Sequence, residues 1–185
     1  MNTGIQGKNI NIQAGNIVIK NNTVGIKGKT TKIEGGKLEI ELNNTGIDSV
    51  NLSTNLAEIQ IKSNEKGIKG TNLGLNSKDL INISNNKKGV EGKNVGVKTS
   101  GVITLSGNGK GVSGENVASL KGQSVVITAN QVGAEGENMY IKSSKVAVSN
   151  NTIGAQGNSI NVKADELIIV DNVLGFKQKQ IKKPA

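Results

Sequence analysis

Glycine recurs at Gly4, Gly25, Gly46, Gly67, Gly89, Gly111, Gly133, Gly154 and Gly175, a spacing of 21 or 22 residues along the whole sequence. A period of that length marks a stacked repeat array rather than a conventional globular core. Neighbouring positions keep the same phase. The residue after each glycine is apolar: Ile5, Ile26, Ile47, Ile68, Val90, Val112, Ala134, Ala155 and Phe176. Three residues after each glycine stands another, as in Gly7, Gly28 and Gly70, with departures only at Ser49 and Gln178. Five residues after it stands Asn9, Asn51, Asn72, Asn94, Asn116 or Asn138, replaced in the other copies by Thr30, Ser159 and Gln180.

Apolar residues within a copy alternate, as in Ile10-x-Ile12, Ile17-x-Ile19, Val95-x-Val97 and Ile160-x-Val162. Period two is the signature of a strand, and β-branched side chains suit a pleated surface. Each copy reads as a strand at Gly-Ile-x-Gly, a turn near Asn, a second strand, another turn and a third strand. Three short strands cannot bury their inner faces alone, whereas copies stacked in register bury them in one aliphatic column. The expected fold is therefore all-β: a single-chain parallel β-helix (β-solenoid), right-handed by default, with three short strands per coil and eight to nine coils. Such a rod is about 40 Å long at the strand spacing of ~4.8 Å. The array covers residues 1–175, and 176–185 form a basic C-terminal tail or a partial last coil. The 22-residue copies lie together in the middle, with the extra residue expected in the second corner.

In-register stacking predicts that Asn9, Asn51, Asn72, Asn94, Asn116 and Asn138 form a ladder along one corner, where Asn also tolerates a left-handed backbone. If that ladder is buried, Asn94→Ala should cost about 1 kcal/mol or more through unpaired polar groups. A second Asn-rich corner follows the third strand at Asn21-Asn22, Asn43-Asn44, Asn85-Asn86, Asn150-Asn151 and Asp171-Asn172. Two positions after the repeat glycine, Lys27, Asp48, Lys69 and Glu91 alternate in sign, as stacked neighbours should.

Composition narrows the chemistry. The chain has no Cys, His or Trp, and its 23 basic residues are all Lys. Disulfides, thiolate or imidazole metal sites, Ser-His and Cys-His pairs and guanidinium clamps are thereby excluded. A net charge of +9 favours polyanions in general. Nucleic acid is not expected as a partner, because Tyr140 and Phe176 are the only aromatics. No apolar stretch is long enough to span a bilayer, and Met1 to Gly15 do not read as a secretory signal.

Some large β-helices cleave polysaccharides, so the carboxylates matter. Glu115, Glu135 and Glu137 could converge, resembling a glycosidase pair or a weak cation site. With no long loop and no aromatic platform for a sugar, the expectation is no catalytic residue, no bound metal and no cofactor: the chain is not an enzyme. At the C-terminus, Phe176 in the inward position is placed to plug the column. Lys177, Lys179, Lys182, Lys183 and Pro184 discourage edge pairing and offer a weak polyanion contact. At the N-terminus, Gly4 to Ile12 already belong to the first copy, leaving an unpaired edge.

The stretch Gly7-Lys8-Asn9-Ile10-Asn11-Ile12-Gln13-Ala14-Gly15-Asn16-Ile17-Val18-Ile19 resembles the repeats of filamentous-haemagglutinin-type exported adhesins. It is similar also to the β-helical spikes of phage and contractile injection tails. The adhesins' signal and secretion domain are absent from this sequence, and many tail spikes have a shorter period. Bactofilin-like polymers share an uncapped solenoid but have a shorter repeat. The resemblance implies a non-enzymatic structural protein, the subunit or segment of an extracellular or cell-surface fibre or adhesin, partnering itself by axial head-to-tail stacking or continuing in a larger assembly. The alternatives are a tail-spike component on a phage particle, a cytoplasmic polymer, and a carbohydrate-active β-helix enzyme.

Overall fold

The computed structural model describes residues 2–178, so Gln180 and the tail residues Lys179, Lys182, Lys183 and Pro184 lie outside the described residues. The chain is an all-β parallel solenoid of about 8 turns with roughly 21 residues per coil and no helix among the described residues. The first four coils are β1 (Thr3–Lys20), β2 (Val24–Glu41), β3 (Thr45–Lys62) and β4 (Lys66–Ser84), each pairing in parallel with the next. Ladder pairing runs through their corners, so each coil is one long bent strand rather than three short ones.

From the fifth coil the corners break the pairing. On the first and second faces the stack continues through β5 (Lys88–Thr99), β7 (Lys110–Lys121) and β9 (Val132–Lys142), and then β11 (Ile153–Gly157) and β12 (Ser159–Lys163). The third face continues through β6 (Val102–Ser106), β8 (Ser124–Thr128), β10 (Lys145–Ser149) and β13 (Glu166–Val170). Finally β14 (Leu174–Gln178) stacks on β11.

The core is the predicted aliphatic column. Ile26, Ile47, Ile68, Val90, Val112, Ala134 and Ala155 line the first face, and pairs such as Leu73 with Leu75 and Ile81 with Ile83 line the others, all buried. Ser49 and Thr31, polar residues within the column, satisfy each other: the Ser49 hydroxyl donates to Thr31 Oγ1 at 2.9 Å, and Ser49 Oγ also lies 2.9 Å from the Asn51 carbonyl. Ser49 therefore occupies a glycine position because Thr31, one coil earlier, needs a partner. The repeat glycine itself answers to close approach. A Cβ at Gly67 would overlap the Ile61 side chain and meet the carbonyl of Gly89 one coil on at 2.5 Å.

Two expectations are corrected here. The left-handed residues are not in the Asn9-to-Asn138 corner. All described non-glycine residues with positive φ lie after the third face: Asn21, Leu42, Ser63, Asn85, Ala129, Asn150 and Asp171, with φ from 51° to 57°, and Gly107 takes the same place at 63°. The extra residue also moves. In β4 it falls between the second and third faces, where the register slips between Leu56 and Glu58 as expected. In β7 it falls in the first corner, where Asn94 pairs with Val117 and Asn116 is bulged out of the file. Ala118 and Leu120 are consequently the buried side chains of its second face.

Candidate functional site: corners, outer faces and open ends

Each left-handed residue turns the chain so that the next residue, always Asn, points inward: Asn22, Asn43, Asn64, Asn86, Asn108, Asn130, Asn151 and Asn172. The six inner members are at most 2% exposed. From Asn43 to Asn172 each carboxamide oxygen accepts from both the backbone N–H and the Nδ2 of the Asn one coil earlier. Asn108 Oδ1, for instance, receives Asn86 N at 3.0 Å and Asn86 Nδ2 at 3.1 Å. Asn108 Nδ2 in turn donates to the Ile83 carbonyl at 2.8 Å and to Asn130 Oδ1 at 3.0 Å. Backbone bonds between coils continue on either side, as from Asn85 N–H to Ser106 O and Lys87 N–H to Asn64 O, and the ladder fills the gap at the Asn itself, satisfying groups that would otherwise be buried bare. The signal for it is present in the sequence, since Asn stands three residues before every repeat glycine from Gly25 to Gly175. The adjacent Asn pairs at this corner draw attention from that stricter rule.

The expected ladder residues stand on the surface. Asn72 donates to Asn51 Oδ1 at 2.9 Å and Asn94 to Asn72 Oδ1 at 2.9 Å, both bonds exposed. Asn138 reaches only the Asn116 carbonyl, at 3.3 Å. Asn9 stands in register with Thr30. Asn94 is exposed, so the buried-group penalty expected for Asn94→Ala does not apply.

Of the three carboxylates singled out, Glu115 and Glu137 are exposed. Glu135 is engaged: Lys110 donates to Oε1 at 2.6 Å, Ser113 to Oε1 at 2.8 Å and Gln156 to Oε2 at 2.6 Å. Burial pushes the Glu135 carboxyl up, but these three donors and the Lys110 charge outweigh it and hold the carboxyl below its ordinary value. Among the described residues no group of three acidic residues is placed to hold a metal ion. On the third face of the first coils, Lys20 pairs with Glu41 at 2.8 Å and Lys62 with Glu39 at 2.9 Å. The hydrogen bond from Lys62 lowers the Glu39 carboxyl and raises Lys62. Lys69 and Asp48, of the alternating file, lie 3.8 Å apart.

The coil ends differ sharply from the middle. Leu167 and Ile169 in β13 are 47% and 44% exposed, whereas Val146 and Val148, which occupy the same positions one coil earlier, are fully buried. Phe176 sits over Ala155 and, with Ile160, Val162 and Leu167, lines a recess of about 540 Å³ at this end. At the other end Ile5 is 45% exposed and its partner Ile26 only 1%. Among the described residues no segment covers either end. Comparison with protein-family models, with curated proteins and with solved structures gave no match to this chain.

Proposed function

We propose that this chain is a non-enzymatic structural rod, the subunit or segment of an extracellular or cell-surface fibre of adhesin type, assembling by axial stacking of its coil ends. The observation that carries the reading is the contrast between the end coil and the coil before it. Leu167 and Ile169 have the chemistry and register of core residues yet remain open to solvent, beside the half-buried Ile160, Val162 and Phe176. A further coil laid on β13 would bury them as β13 buries Val146 and Val148. It would also pair strand edges that otherwise offer unsatisfied N–H and C=O groups to any extended chain. The opposite end presents the complementary edge on β1, so head-to-tail contact is heterologous and propagates as a filament.

The test is electron microscopy and light scattering of the full chain across a concentration series, beside the Leu167→Lys, Ile169→Lys double variant. Narrow filaments of uniform width, lengthening with concentration and abolished in the variant, are expected. Discrete single rods at every concentration, or filaments unaffected by the two lysines, would refute axial stacking.

A further inference from the structure

Two costs to folding meet on the second face, side by side at Gly96 with Lys98 and at Ser119 with Lys121, and packing accounts for neither. The first is a strip of bare backbone. The outward positions Ser53, Gly74, Gly96 and Ser119 stack in register in the middle coils. Glycine weakens a strand interior, and it is usually retained for a special φ or a close approach. Neither applies here: a Cβ at Gly74 would meet nothing nearer than 3.6 Å, one at Gly96 nothing nearer than 4.0 Å, and neither has a positive φ. The repeat glycines such as Gly67, jammed against the next coil, have no such freedom. The strip forms the floor of a shallow groove of about 610 Å³ along the rod axis, with the amides of Asn51, Asn72 and Asn94 on one side.

The second cost is a file of like charge that flanks the floor from Gly96 onward and continues past it. Lys98, Lys121, Lys142 and Lys163 are direct partners in consecutive coils, all exposed. Like charges at directly paired positions repel. Elsewhere the chain relieves this with acids, as at Lys20 with Glu41 and Lys110 with Glu135. None of the four forms an ion pair among the described residues. Asp165 is the nearby acid, in the recess behind Lys142 and Lys163. Tyr140 follows Ser119 in the floor file, 45% exposed, and ends the bare strip with an aromatic face.

We infer that this track binds a linear anionic polysaccharide lying along the rod axis. The polymer's rings would lie on the bare floor, its hydroxyls against the Asn amides and its carboxylates against the lysine file. The last ring would pack on Tyr140. The strand spacing of ~4.8 Å is close to the length of one pyranose residue, so a glycan with a carboxylate on every ring matches the lysine file in charge per unit length. Single-stranded nucleic acid fits less well, because its bases need a succession of aromatic platforms and the track has one. A single rod carries the whole track, so the inference does not depend on axial assembly.

The experiment is calorimetric titration of the full chain with sodium polygalacturonate, which bears a carboxylate on every ring, with uncharged dextran and oligo(dT) as comparisons. Polygalacturonate should bind with an affinity that falls as salt rises, and dextran should not bind. Lys121→Gln with Lys142→Gln should weaken binding about tenfold, the equivalent of one charge-assisted hydrogen bond. Ser119→Trp, which fills the floor and keeps every charge, should weaken it to a similar degree, with Gly96→Gln as a second filling variant. Lys27→Gln with Lys177→Gln removes the same charge from the exposed first face and should change affinity by less than about twofold. Unchanged melting temperatures establish that each variant is folded. Equal weakening by the first-face pair, full binding with the floor filled, or tighter binding of oligo(dT) through the same lysines would each overturn the inference.

Discussion

Asn94 and Asn108 belong to the same coil repeat and face different worlds. Asn108 is 1% exposed, accepts from two donors of Asn86 and gives its own amide to Ile83 and Asn130. Asn94 is exposed and makes one side-chain bond, to Asn72. Both files repeat once per coil and both chain amide to amide, so periodicity does not separate them. What separates them is the residue before. A left-handed backbone at Gly107 swings Asn108 into the rod, whereas Lys93, immediately before Asn94, has no positive φ. An amide sealed from water supplies the bonds that the backbone omits at that one residue, while one in water exchanges protein partners for solvent at little net gain. The same side chain is thus structural in one corner and available for recognition in the other.

The comparison breaks most readily at Asn108. Asn108→Ala removes the acceptor for Asn86 and the donor to Ile83 from a buried site, and should cost about 3 kcal/mol in urea unfolding. A loss below about 1 kcal/mol would mean that water enters the corner and that its burial is not what matters. The left-handed residue gives an effect of opposite sign. Ala129 holds φ 56° immediately before Asn130, so Ala129→Gly should stabilise the chain by about 1 kcal/mol, read as a higher denaturation midpoint. No gain there would argue that the corner is not strained.

Charge offers a third, smaller test, at an outer position where a polar group is held rather than free. Glu135 is 12% exposed and holds its proton less tightly when folded than when unfolded, because Lys110, Ser113 and Gln156 donate to the carboxylate. Its contribution is therefore present above the ordinary Glu pKa of about 4.3 and is lost as pH falls through the lowered folded value. Glu135→Gln should be less stable than the parent by somewhat under about 1 kcal/mol at neutral pH, and the gap should close in acid. A gap independent of pH would remove the ionised carboxylate as its source. The smallest effect belongs to the exposed file itself: Asn72→Ala should shift stability by no more than about 0.5 kcal/mol. A shift matching that of Asn108→Ala would erase the distinction between the two corners.

Much of this was legible in the residues. The glycine phase sets the coil length, the period-two alternation sets the strands, and the absence of His and Cys removes whole classes of chemistry. The recurrence of the second Asn file was legible too, in the Asn three residues before each repeat glycine from Gly25 onward, but its burial was not. The files that share a face were not. Lys98 and Lys121 are 23 positions apart and become partners because the bulge at Asn116 moves the phase within β7. Gly74 and Gly96 keep a regular spacing, but nothing in the sequence distinguishes their open surroundings from the crowded ones of Gly67.

The sequence by itself determined the period, the strand character and the aliphatic column, because these follow from local alternation and from the need of each copy to bury its inner face on the next. Tertiary structure alone decided which asparagine is sealed, which glycine is free and which lysines stand in line. Those outcomes depend on the sign of φ at one residue and on where a single extra residue is absorbed, and both are settled by packing between coils rather than by any residue's own preference.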